Sequence, residues 1–295
     1  MNSAAKNKRS VAAIVVVVVL VAAVVVLYFH RSRGGDEKVF SLEVTKIEPA
    51  PLGDSDVPPD QSLKADEYSN KGMPSLDRPW NPSDYLTCIN VLGSCAENNI
   101  YSLPRYKSAN SGAIFNRIVS VENFSQLEDK TRLIDVRIRE VSEYIVNLNG
   151  VFVVYVKAGF RGKPFDSEVV EIMARLLNLN LIKAQLSDEA LASTAKEDPS
   201  YALRKEGREA MKAGLFQIMM GAIRALTEHQ YYRDSELIRL AGYIKDFAPP
   251  LMAEMTPDAK AQLITRIREI IQQEKKPGLK NALSELLDEV EKQPE

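Results

Sequence analysis

The chain has 295 residues, 45% of them hydrophobic, and its 38 basic and 40 acidic side chains leave a net charge of −2. That balance excludes the basic stripe on which nucleic-acid binders depend, so no nucleic-acid partner is expected. The apolar fraction suffices for a packed core of one large domain or two small ones.

Residues 1–10 form a short basic tail with Lys6, Lys8 and Arg9. Residues 11–29 then read VAAIVVVVVLVAAVVVLYF, without charge or proline. As a helix this run spans roughly 28 Å, the thickness of a bilayer hydrocarbon core. Valine is a mediocre helix former in water, but lipid offers the backbone no other partner and enforces the helix. Tyr28 and Phe29 suit the headgroup region at its exit, and His30, Arg31 and Arg33 stop it. A cleaved signal peptide is the rival reading; the run is longer than an h-region of about 7–15 residues and no good cleavage site follows. The expectation is a retained single-pass anchor through residues 11–29. Basic residues flank it almost evenly, and the short basic tail favours a cytoplasmic N-terminus with the C-terminal domain outside a bacterial inner membrane.

Residues 30–79 read as a flexible tether. Prolines 51, 58, 59, 74 and 79 interrupt it, acidic and small polar residues fill it, and apolar periodicity is absent. A short strand over 39–47 is the one element it could hold. From 80 to 292 the pattern is that of an all-helical globular domain. Asn81 can cap a helix, Pro82 suits its first position, and Trp80 and Tyr85 stand where a hydrophobic staple would. Tyr85, Cys88, Leu92 and Cys95 share one face of that helix. Seven helical residues separate the two cysteines by about 10.5 Å, too far for a disulfide, so both are expected as buried free thiols.

The next stretch, Tyr101 to Gly112, mixes tyrosine and basic residues with turn formers. Tyr101, Arg105, Tyr106 and Lys107 are the candidate partner-binding residues, because tyrosine and arginine are favoured at interfaces. A short helix over 113–120 follows. Residues 131–158 carry two signals. Ile134, Ile138, Val141, Ile145, Leu148 and Phe152 make a helical stripe, while Asn149-Gly150 between apolar runs signals a β-hairpin near 143–157. Helix is preferred, since an isolated hairpin would lack sheet partners.

Asp166 can cap the next helix, which carries Val169, Met173, Leu176 and Leu177. Asp198-Pro199 opens another, running to about Thr227. Gly207, Gly214 and Gly221 recur in it every seven residues, and glycine in a helix interior costs up to about 1 kcal/mol against alanine. Close helix packing is the expected return, with this helix at the centre of the domain and leucine at Gly214 sharply destabilising. Ser235 opens a helix that Pro249-Pro250 should stop. Thr256-Pro257 and Pro277-Gly278 open the last two. Short connections favour antiparallel neighbours.

Chemistry-bearing patterns are few. Lys157–Lys163 lacks the spacing of a phosphate loop, His229 lies near a helix end without a nucleophile-elbow motif, and no cofactor or metal motif is found. The function expected is a membrane-anchored protein-binding or structural module of the bacterial cell envelope, with another envelope protein as partner. The alternatives are an envelope hydrolase using paired carboxylates and a cytoplasm-facing helical adaptor. Oligomeric state is left open.

Overall fold

The computed structural model describes residues 71–159 and 165–292, so the apolar run 11–29 and most of the tether lie outside the described residues. The described residues form eight α-helices and no strand. They are α1 (Pro82–Asn98), α2 (Gly112–Val119), α3 (Ile134–Gly159), α4 (Asp166–Ala192), α5 (Pro199–Ala225), α6 (Asp234–Ala253), α7 (Pro257–Gln273) and α8 (Pro277–Glu291). None of them is long and apolar enough to cross a membrane.

Local signals set most of the boundaries. The Asn81 side chain accepts from the backbone of Ser83 and Asp84, and Asp84 returns a bond to the Asn81 N–H, closing a capping box with Pro82 in the first turn. Trp80 and Tyr85 meet edge to face with ring centroids 5.7 Å apart, which completes the staple. Asp198 and Thr256 cap α5 and α7 as expected. Asp166 does not cap α4. Phe165 holds the cap position without a side-chain bond, and Asp166, the first helical residue, takes the Arg233 guanidinium instead.

The packing has one organising element, α4, which is buried on two faces. Val169, Ile172, Leu176, Leu179, Ile182, Leu186 and Ala190 enter a first core shared with α1, α2 and α3. Val170, Ala174, Leu177, Leu181 and Ala184 enter a second core shared with α5, α6, α7 and α8. Both rows step by three and four residues, so one helix carries two apolar stripes and joins two half-bundles. Only a few side chains reach from one half to the other. Arg204 of α5 pairs with Asp135 of α3 at 2.9 Å, and Tyr232 packs against both cores.

Several sequence expectations are corrected here. The helix preferred over the hairpin is the one observed: Asn149-Gly150 lies inside α3, because Val141, Ile145, Leu148, Val151 and Tyr155 bury one helical face in the first core. A Cβ on Gly150 would lie 2.7 Å from Cδ1 of Ile89, so this glycine lets α1 approach rather than turning the chain. The central helix is α4 and not α5, whose buried residues number only Arg208, Leu215, Met219, Ala222 and Ile223. Pro249 and Pro250 do not end α6, which runs on to Ala253. Each proline removes a helical N–H and crowds the preceding turn. Leu251 and Met252 nevertheless bury fully in the second core and hold the last turn in place. The cysteines are free and share α1 as expected, but only Cys88 is buried and Cys95 is half-buried. Ordered packing also reaches back into the tether region, where Met73 and Leu76 contact the first core.

A polar knot ties the start of this core. Asn123 accepts from the Trp80 N–H at 2.8 Å and donates to the Tyr85 hydroxyl at 2.9 Å and the Arg117 carbonyl at 2.6 Å. The Tyr85 hydroxyl donates onward to the Ile118 carbonyl, and the Tyr144 hydroxyl lies between the carbonyls of Trp80 and Asn123.

Candidate functional site

The loop that the sequence singles out lies over the N-terminus of α4, and the structure brings three of its four candidate residues together there. Tyr101 belongs to the preceding 3-10 turn, Ile100–Ser102, and is 40% exposed. Arg105 places its guanidinium carbon 4.7 Å from the centre of the Phe165 ring. Tyr106 donates its backbone N–H to Oε1 of Glu168 at 2.6 Å. Its ring meets Phe115 of α2 edge to face, with the Arg239 guanidinium carbon 5.2 Å from the centroid and Lys107 Nζ at 5.4 Å. Lys107 is exposed and has φ 65°, a left-handed conformation that side chains other than glycine seldom adopt.

Beneath the loop, α4 and α6 contribute a buried cluster of acids and bases. Arg233 grips Asp166 with two nitrogens at 2.8 and 2.9 Å. Arg239 pairs with Glu236 at 2.7 Å and lies 3.5 Å from Glu171, while donating to the Ser167 carbonyl. Glu236 accepts from the Ser167 hydroxyl, and Glu171 accepts from the Tyr243 hydroxyl at 2.7 Å. All four carboxylates are buried. Burial pushes Glu168 up to about 7, with the N–H groups of Glu168 and Tyr106 and the charge of Arg105 pulling it back. Burial likewise raises the Glu236 carboxyl, against the pull of Arg239. Tyr106 and Tyr243 are raised above the ordinary tyrosine value, first by burial and then by Glu171.

Sequence reading missed Glu168, Glu171, Arg233, Glu236, Arg239 and Tyr243. A usable signal was there. Glu236, Arg239 and Tyr243 recur at intervals of three and four on α6, the same face-forming spacing that apolar residues use. Glu168 and Glu171 sit three apart on a helix that is otherwise apolar on two sides.

The three helix glycines do not join this site. Gly207, Gly214 and Gly221 are half-buried along α5. A Cβ added to Gly214 meets nothing within 4 Å among the described residues, so no close approach depends on it there. His229, beyond the end of α5, brings Nε2 within 2.9 Å of Glu274 Oε2 and Nδ1 within 3.6 Å of Asp234 Oδ1, joining the start of α6 to the end of α7.

Chemically, the cluster is built to hold elements together. Asp166, Glu168, Glu171 and Glu236 are each buried and already engaged by an arginine, a tyrosine hydroxyl, a serine hydroxyl or a backbone N–H. The loop exposes Lys107, Ala109 and Asn110 to solvent, with Tyr101 exposed on the turn before it. Comparison of the chain with protein-family models, with curated proteins and with solved structures finds no match in any of the three.

Proposed function

We propose that this protein is a membrane-anchored helical module of the bacterial cell envelope, held through residues 11–29, that binds another envelope protein on the extracytoplasmic side. The observation that supports it best is the layout of the chain. An uncharged run of bilayer length and a proline-broken tether precede a helical domain whose two cores are filled by residues from Trp80 to Val290. An apolar run of this kind ahead of such a domain serves as a leash, and a leash raises the local concentration of a binding domain at a surface. Inward-turned carboxylates favour binding over hydrolysis, and the partner face is the edge bearing Tyr101, Arg105, Tyr106 and Lys107.

Photo-crosslinking residues placed at Tyr101 and Lys107 of the intact membrane protein test the reading. Discrete adducts at these positions, absent from a probe on the exposed Glu209 of α5, support it. Labelling equal to that of the control position overturns it.

A further inference from the structure

Between the two apolar rows of α4 runs a third row, which is polar. Glu171, Arg175 and Asn178 follow one another at steps of four and three, so they share one side of the helix. That side lies along the seam between the half-bundles. The groups around Arg175 are Glu171 on the preceding turn, Tyr85 of α1 from the first core and Tyr243 of α6 from the second. All three are already engaged. Glu171 accepts the Tyr243 hydroxyl at 2.7 Å and lies 3.5 Å from Arg239, and the Tyr85 hydroxyl donates to the Ile118 carbonyl.

Arg175 and Asn178 are not engaged. Arg175 makes no hydrogen bond and no ion pair among the described residues, and its Nε is shut off from solvent without a partner. Burial lowers its guanidinium below the ordinary arginine value, with Glu171 pulling it back. Asn178 is 2% exposed, and its Oδ1 likewise has no partner among the described residues. Buried polar groups are nearly always hydrogen-bonded, because a bare one has given up its water for nothing. Two other buried arginines of this fold follow that rule. Arg137 holds Glu189 and the Leu127 carbonyl, and Arg208 holds Asp188 and Glu254. Arg175 as a residue is half-buried, so solvent reaches the seam at this point.

We propose that the seam at Arg175 and Asn178 is a binding site for a single carboxylate group. A guanidinium whose fork is unengaged matches the two oxygens of a carboxylate in a bidentate pair. The Asn178 amide, one turn along, adds a donor and an acceptor beside that pair. Glu171 on the preceding turn limits the charge: Arg175 balances one negative charge, whereas Glu171 repels the second charge of a phosphate dianion. Two sources carry a carboxylate of this kind, a free small acid and the C-terminus of a peptide chain. The site goes beyond the anchored-module reading and does not rest on it, since it needs neither the run 11–29 nor the edge at Tyr101 and Lys107.

Isothermal titration calorimetry of the full chain in detergent micelles near neutral pH tests the site, with sodium chloride holding the ionic strength constant. The probes are sodium acetate, N-acetyl-trialanine with a free C-terminus, the same peptide amidated, and inorganic phosphate. Saturable binding of acetate supports the site with a free small acid as its source. Binding of the acid peptide without acetate supports it with a chain terminus as its source. In both cases Arg175→Met should weaken binding about ten-fold or more. Arg175→Lys keeps the charge without the fork and should not restore it. Asn178→Leu should weaken binding several-fold. Neither side chain has a partner to lose, so Arg175→Met and Asn178→Leu should melt no lower than the parent without ligand, which separates lost binding from lost folding. An Arg175→Met variant that melts below the parent shows the guanidinium spent within the fold and overturns the site. So does an absence of saturable binding by both acetate and the acid peptide, equal binding of the acid and amidated peptides, or unchanged affinity in Arg175→Met. Phosphate that binds more tightly than either carboxylate overturns the ligand class. No outcome touches the crosslinking test, so the two readings fail separately.

Discussion

Replacing Gly214 by alanine adds one methyl group to the middle of α5, at a point where it meets nothing within 4 Å among the described residues. The change should therefore give the full helix-propensity gain of about 0.8–1.0 kcal/mol. For a domain of this size that raises the melting midpoint by roughly 2–4 °C. Alanine at Gly150 gains the same propensity, but its Cβ would fall 2.7 Å from Ile89 Cδ1 and 3.3 Å from Ile89 Cγ1. Ile89 must leave its rotamer, at roughly 0.5–1.5 kcal/mol, or α1 must shift outward, at about 1–3 kcal/mol. Gly150→Ala should thus range from about 0.5 kcal/mol more stable to about 2 kcal/mol less stable than the parent. The quantity to measure is the gap between the two alanines, which equals the Ile89 penalty and is at least about 0.5 kcal/mol. Thermal unfolding of the full chain in micelles, followed by far-ultraviolet circular dichroism, resolves it. A Gly214→Ala variant that melts below the parent, or a Gly150→Ala variant that gains as much as Gly214→Ala, would refute the reasoning.

Two other substitutions test the interior. Asn123→Ala strips the buried Trp80 N–H of its acceptor, at about 1–3 kcal/mol, and removes one bond each from the Arg117 carbonyl and the Tyr85 hydroxyl, which keep the Ser120 N–H and the Ile118 carbonyl, at about 0.5–1.5 kcal/mol apiece; the total should be roughly 2–6 kcal/mol, and a loss under about 1 kcal/mol in denaturant unfolding contradicts the knot. Lys183 on α4 is 8% exposed, and burial pushes its ammonium down to about 8 from 10.5. The unfolded chain then binds more protons than the folded one between those values, so stability should rise with pH across that window, by about 3 kcal/mol. Lys183→Met should melt higher than the parent at pH 7 and show a flatter rise toward pH 10, and an unchanged slope would place the titration elsewhere.

Helix caps were legible because they depend on a few adjacent residues. Asn81-Pro82, Asp198-Pro199 and Thr256-Pro257 each satisfy backbone N–H groups that any helix start leaves open. The meaning of a glycine lies in what stands opposite it: Gly150 carried a turn signal that the preferred helix overrode, and it faces Ile89, while Gly214 looked like a contact and meets nothing within 4 Å among the described residues. Pro249-Pro250 misled for a similar reason: the local penalty is real, but burial of Leu251 and Met252 outweighs it. The loop at Arg105–Lys107 was found from its own composition. Its counterpart was missed because Glu168 and Arg239 lie far along the chain, and nothing near Tyr106 announces them.

Two stripes on α4 also set a hazard during synthesis. When the ribosome has made residue 192, the first half-bundle has all its helices, and Val170, Ala174, Leu177, Leu181 and Ala184 have no cover. The second core is complete only once Val290 is added, about a hundred residues later, or roughly 5–20 s at ordinary elongation rates. Over that interval the nascent chain displays an apolar helical face. With the anchoring proposed for residues 11–29, chaperones that guard such faces would have to act at the membrane surface.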